Sequence, residues 1–202
     1  MGREAKVAYR SGKDRAEVRA HLDSDALELT GGKKLKIRLA DVRKAVADGD
    51  GLKVETKSEK FELALGAKEA AAWAKKILNP PTLADKLGLK ADSKVLLVGA
   101  RIAEIDEAAP AAERATALTA AKAKTANVIL LTLAPGTAEK QIAAAAKALP
   151  KGTALWLVYT KGTKPNGDAI IMLARKAGLK DTKVARVSEK HAALRFIAGG
   201  RT

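Results

Sequence analysis

Hydrophobic and polar positions follow two rhythms along this chain, and the change comes at Asn79-Pro80-Pro81. Before the prolines the apolar residues alternate with period two. Val18, Ala20 and Leu22 share one face while Glu17, Arg19 and His21 share the other. Leu35, Ile37 and Leu39 stand opposite Lys34, Lys36 and Arg38, and Phe61, Leu63 and Leu65 repeat the pattern. Successive side chains of a strand point to opposite faces, so each run reads as a strand with one buried face. Turn formers separate the runs: Ser11-Gly12, Asp23-Ser24-Asp25, Gly31-Gly32, Asp48-Gly49-Asp50-Gly51 and Lys57-Ser58-Glu59. Together they predict roughly seven short antiparallel strands. After Gly66 the spacing turns helical, with Ala70, Trp73, Ala74 and Ile77 on one stripe. A small sheet that curls leaves one end open, and an apolar helix stripe carrying a tryptophan fills it.

Consecutive prolines cannot continue a helix and they stiffen an extended connector. Residues 80–82 therefore read as a linker between a domain at 1–79 and a second at 83–202. Beyond the linker, nearly continuous apolar runs at 94–98, 127–133 and 153–159 alternate with helical stretches at 137–149 and 168–177. Strands covered on both faces read this way, and a right-handed parallel α/β sheet is their natural assembly. Breakers end the segments: Pro135-Gly136, Pro150 with Lys151-Gly152, and Gly178. The close is different, because 183–187, Ser188-Glu189-Lys190 and 192–197 predict a β-hairpin. The alanine-rich region 111–125 has room for a short strand at 116–118.

Composition narrows the chemistry. There is no cysteine, which excludes disulfides, thiol catalysis and cysteine-based zinc sites. The N-terminus has no signal-like apolar stretch and the longest apolar run is too short to span a bilayer, so a cytoplasmic location is expected. Thirty-eight Lys and Arg against 23 Asp and Glu give a net charge of +15. That excess favours encounter with polyanions, whether nucleic acid or acidic lipid, and also plain solubility. Aromatic residues are only 3% of the chain and the cations are interspersed with acids. Single-strand stacking platforms are then scarce, and any nucleic-acid binding is expected to be salt-dependent and non-specific.

Three stretches carry candidate chemistry. The first, KVLLVGARIAEI from Lys94, has the strand-turn-helix outline of a nucleotide-binding domain. A coenzyme loop needs several glycines so that bare backbone can approach the ligand. Here Gly99 stands alone, Arg101 and Ile102 put side chains where backbone is wanted, and Glu113 is the sole acid between Glu107 and Glu139. The stretch reads as a tight turn into a packed helix, and no cofactor is expected. The second, YTKGTKPNGDAI from Tyr159, follows a buried strand and so falls at the carboxyl edge of the sheet, where α/β domains place ligands. Asn166 or Asp168 would cap the next helix and Lys161 and Lys164 add charge, making these four an anion-binding candidate; the alternative is a solvent loop with a good cap. The third is Arg10, Lys13 and Arg15 between the first two strands, spaced cations that can clamp a phosphate, although Asp14 dilutes them.

No catalytic residues are assigned. His21 falls on an exposed strand face and His191 in the hairpin turn, far apart in sequence, and there is neither a G-x-S-x-G elbow nor a P-loop. No metal site is expected. Glu104, Asp106 and Glu107 read as acids stabilising a helix N-terminus, and Trp73 and Trp156 as core anchors.

The order and spacing of LKIRLADVRKAVADGDGLKVETKSEKFELALGAKEAAAWAKKIL resemble the pleckstrin-homology-like fold, a β-barrel closed by a C-terminal helix. That resemblance implies that Arg10, Lys13 and Arg15 fall in the loop where phosphoinositide-binding members carry basic residues. The second half resembles the S-adenosylmethionine methyltransferase topology, a Rossmann-like three-layer sheet ending in an antiparallel hairpin. Within 82–202, Leu83, Lys86, Leu87, Gly88, Leu89, Lys90, the strand VLLVGA, Trp156, Lys161, Asp168 and GLKDTKVARVSEKHAALRFI look like a bacterial family known only as a domain of unknown function. Where that family tends to place an aromatic residue followed by Ser, this chain has His191-Ala192. The resemblance implies a Rossmann-like fold paired with a pleckstrin-homology-like module and no particular reaction. The function expected is that of a non-catalytic cytoplasmic binding or scaffolding protein that recognises a protein or an anionic partner. The alternatives are an S-adenosylmethionine- or nucleotide-binding enzyme with a degenerate site, and charge-driven nucleic-acid binding.

Overall fold

The computed structural model describes residues 2–199, and the chain divides into two compact units, Met1–Pro81 and Thr82–Thr202. In the first unit seven antiparallel strands form one curled sheet: β1 (Arg3–Ser11), β2 (Asp14–Leu22), β3 (Ala26–Gly31), β4 (Leu35–Arg38), β5 (Lys44–Asp48), β6 (Gly51–Glu55) and β7 (Lys60–Ala64). Their order is β4-β3-β2-β1-β7-β6-β5. The alternation is obeyed: Val18, Ala20 and Leu22 are buried, while Glu17, Arg19 and His21 are exposed. Leu39 departs from it. It is buried, but it opens a single 3-10 turn, Leu39–Asp41, which Arg38 clamps by donating from Nε to Asp41 Oδ2 at 2.8 Å.

Helix α1 (Ala67–Leu78) buries Ala70, Trp73, Ala74 and Ile77 and packs on β5 and β6. Gly66, its N-cap, has no side chain to offer. Asp50 substitutes from the β5–β6 turn: its carbonyl accepts the N–H groups of Leu65 and Gly66, and its carboxylate accepts that of Ala67 at 3.2 Å. Free helix N-termini need such partners. Trp73 is fully buried and its Nε1–H donates to Glu69 Oε2 at 3.0 Å.

The second unit alternates strands and helices: α2 (Leu83–Leu87), β8 (Val95–Val98), α3 (Ala103–Ala108), β9 (Glu113–Ala115), α4 (Ala120–Ala123), β10 (Val128–Thr132), α5 (Ala138–Ala148), β11 (Ala154–Thr160), α6 (Gly167–Lys176), β12 (Leu179–Arg186) and β13 (His191–Ala198). The strand order is β12-β13-β11-β10-β8-β9. β8, β9, β10 and β11 pair in parallel, and β13 is antiparallel to both its neighbours. Leu96, Ile129 and Leu155 belong to one buried layer and Leu97, Leu130 and Trp156 to the other. Both faces of the sheet are therefore covered, which is why these strands read as unbroken apolar runs.

Three expectations shift in the second unit. The short strand is Glu113–Ala115, not 116–118, because it pairs with the four-residue β8 only up to Val98, and the Gly99 N–H closes that ladder on the Ala115 carbonyl at 3.4 Å. β12 begins at Leu179 rather than at 183. A register irregularity between Asp181 and Lys183 breaks its alternation and hides its start from periodicity. His191 is the first residue of β13, paired with Thr160, instead of lying in the turn. Its Nδ1 sits 3.2 Å from Ser188 Oγ, which also accepts the N–H groups of Lys190 and His191, so the contact serves the hairpin.

Candidate functional site

The turn after β8 is shaped by packing. Gly99 has φ +90°, and a Cβ placed on it would lie 2.7 Å from the backbone oxygen of Thr132 at the end of β10. The two strand ends approach too closely for any side chain. Ile102 is buried and packs with Leu97 and Ile105. Arg101, by contrast, is 76% exposed and turned onto Asp106, with Nε to Oδ2 at 3.0 Å. Arg114 binds the other oxygen of the same carboxylate. Asp106 thus ties α3 to β9 and to the turn, beyond any service to the helix dipole.

The loop after β11 is spent largely on its own structure. The Lys161 ammonium donates to the carbonyls of Ser188 at 2.9 Å and Glu189 at 3.3 Å, and its N–H bonds the Lys190 carbonyl, so this residue ties β11 to the closing hairpin. Asn166 is the N-cap of α6, accepting the Ala169 N–H at 3.0 Å. Asp168 lies two residues on; burial first, and then its carboxylate, push the Tyr159 phenol above its ordinary pKa. Lys164 is exposed and precedes a cis proline.

Arg10, Lys13 and Arg15 fall on the β1–β2 hairpin, whose turn is Gly12-Lys13. Arg10 and Arg15 are not loop residues. They are strand residues in direct register, on the solvent face. The same row continues from Arg10 to Glu62 on β7 and from Glu62 to Lys53 on β6. A groove of ≈ 490 Å³ opens here, lined by Arg10, Arg15, Lys53, Lys60 and Glu62, with Phe61 and Val54 beside them. Lys13 does not line it. Lys53 pairs with Asp48, and Lys60 lies 3.6 Å from Glu55. Among the described residues neither Arg10 nor Arg15 has an ion-pair or hydrogen-bond partner for its guanidinium. Lys53 and Lys60 were missed in the sequence because only strand pairing brings them here; their outward phase on β6 and β7 was the available signal.

Among the described residues, no helix is long and apolar enough to cross a membrane, and no three His, Asp or Glu side chains gather as a metal site would require. No family model matches the chain, and no curated protein matches it. Some solved structures are distantly similar to parts of the chain. The N-terminal PH domain of human ARAP2 is 14% identical, with a TM-score of 0.35 over 46% of this chain and 89% of that one. The TehB-like SAM-dependent methyltransferase from Corynebacterium glutamicum is 11% identical, with a TM-score of 0.40 over 65% of this chain and 96% of its own. Human N-acetylserotonin methyltransferase in complex with SAM is 13% identical, with a TM-score of 0.35 over 65% of this chain and 45% of that one. Likeness at this level names no family and assigns no activity.

Proposed function

We propose that the protein is a non-catalytic cytoplasmic binding protein whose first unit takes an anionic group of a partner in the groove beside the β1–β2 turn. The observation that carries this is the opposed pair Arg10 and Arg15. Like charges directly across neighbouring strands repel. An anion placed between them replaces that repulsion with two charge-assisted contacts. Lys53 and Lys60 also line the groove, although each already has a carboxylate partner, and a groove of ≈ 490 Å³ suits a headgroup or an acidic side chain. The experiment compares the native chain with an R10A/R15A variant in sedimentation with phosphatidylcholine vesicles, with and without phosphatidylserine, and in titration with a phosphoserine peptide. At about 1 kcal/mol per cation near an anionic surface, the double substitution weakens binding about thirtyfold. Native binding that falls with salt and is lost in the variant supports the proposal; equal binding by both refutes it.

A second reading has one observation in its favour. The order β9-β8-β10-β11-β13-β12 with an antiparallel β13 resembles a methyltransferase sheet, which would make the Gly99 turn a coenzyme site. Calorimetric titration with S-adenosylmethionine and with ATP separates the two readings, since only this one requires saturable heat that is lost on substitution around Gly99.

A further inference from the structure

One rung of the second sheet crosses five strands: Leu97 on β8, Leu130 on β10, Trp156 on β11, Arg195 on β13 and Lys183 on β12. The first three are buried and pack in the layer that contains Leu87 of α2. The rung then ends in two cations set directly against each other. Opposed like charges across a strand pair are unfavourable, so an apolar rung finished in this way calls for a counter-charge. A cavity of ≈ 360 Å³ lies there, at the amino edge of the parallel strands, bounded by the end of α2, the loop before β8 and the starts of β10 and β11. Lys90, Lys183 and Arg195 line it against a single carboxylate, Asp92.

The donors that face it retain capacity. Lys183 spends one ammonium hydrogen on the Lys86 carbonyl at 2.8 Å, and Arg195 spends one guanidinium hydrogen on Thr182 Oγ1 at 3.2 Å. An ammonium has three donors and a guanidinium five. Ser93 Oγ accepts the Lys90 N–H at 2.9 Å and Asn127 Oδ1 accepts the Lys94 N–H at 3.0 Å. Both side chains keep their own hydrogens for a ligand. The Trp156 indole closes the inner wall, its Nε1–H already bonded to the Leu87 carbonyl at 3.0 Å.

We infer that this cavity binds a small organic phosphate. Three cations against one carboxylate leave a surplus of two positive charges, which a phosphate monoester near neutral pH matches. The arginine fork suits paired phosphate oxygens, and the volume is that of a small-molecule site. The cavity stands in a different unit from the Arg10–Arg15 groove and at the opposite edge of the sheet from the Lys161–Asp168 loop.

The test follows backbone amides of Gly88, Ser93 and Gly152 by NMR on the full chain during titration with glycerol phosphate, with glycerol as the neutral control. The variants are R195M, K90M and R10A/R15A. Saturable shifts at those amides with glycerol phosphate alone are expected. Affinity falls about tenfold in R195M and in K90M, the loss of one hydrogen bond to a charged group, and is unchanged in R10A/R15A. Lys90 offers a fold-neutral variant because no side-chain bond of Lys90 supports the fold among the described residues. Absence of saturation, or equal affinity in native and K90M protein, overturns the inference and leaves the first unit's groove untouched.

Discussion

Replacing Gly99 by alanine tests whether the turn after β8 is dictated by packing or reserved for a ligand. Two costs add. At φ +90° an L side chain is strained, by about 1–2 kcal/mol. The new Cβ would also stand 2.7 Å from the Thr132 backbone oxygen. A backbone atom cannot swing aside as a side-chain tip can, so the ends of β8 and β10 must part and the Val98–Leu131 pairing is disturbed. Forced insertion into a packed site costs about 1–3 kcal/mol more. The total of about 2–5 kcal/mol is a large share of the ~5–15 kcal/mol that holds a domain folded. With a urea slope of about 2 kcal/mol per molar, the unfolding midpoint of the second unit falls by about 1–2.5 M. Each unit holds one fully buried tryptophan, so resolved amide resonances, rather than total fluorescence, must follow the transition. First-unit resonances serve as the control and stay where they were. An unchanged second-unit midpoint would refute the packing account and turn Gly99 back into a candidate for ligand approach.

Two further substitutions bear on stability. Hydrogen bonds from Arg3 and then from Trp73 hold the Glu69 carboxyl below its ordinary pKa. Its contribution is therefore present above the unfolded-state value of about 4.3 and is lost as pH falls through the depressed folded value. The first unit of native protein should exceed E69Q in thermal midpoint at neutral pH and converge with it in acid; a gap that persists in strong acid contradicts the assignment. N166A removes the cap of α6 and should cost about 1 kcal/mol in urea unfolding. N166D should restore it, and an N166A protein as stable as the native one would show that the Ala169 bond carries no weight.

The order of elements was legible because periodicity reports burial. Val18, Ala20 and Leu22, or the unbroken run 127–133, announce how many faces of a strand are covered. What failed did so where local pattern and pairing part company. Nothing in ERATAL says that its strand must stop level with Val98 of a neighbour. The irregularity between Asp181 and Lys183 shifts side-chain phase inside β12 and hides its first four residues from the alternation. Asn166 was legible as a cap, since capping is local. The bond from Lys161 to the hairpin carbonyls was not, because its acceptors lie more than 25 residues away.

Charge shows the same division. A surplus of +15 is plain in the sequence, yet most of it has no structural consequence, because solvated cations far apart are screened at physiological salt within ~8 Å. Three pairs of cations stand in register, and Lys6–Arg19 is answered by Glu17 and Glu4; the other two differ. At about 5 Å in water two unit charges repel by about 0.8 kcal/mol, and the repulsion grows as the surrounding surface excludes solvent. Arg10 and Arg15 flank a two-residue turn, so counting outward from Gly12-Lys13 sets them face to face; once the hairpin was recognised, that opposition was readable. Lys183 and Arg195 were beyond such counting, with an irregular strand and a longer turn between them. Both pairs line concavities that also hold a carboxylate, Glu62 in one and Asp92 in the other, yet among the described residues none of the four cations is in an ion pair. Solubility needs charge but is indifferent to register. Opposed cations at a concave surface therefore bear more directly on the proposed anion sites than the whole surplus does, and the K90M and R10A/R15A comparisons test the two sites separately.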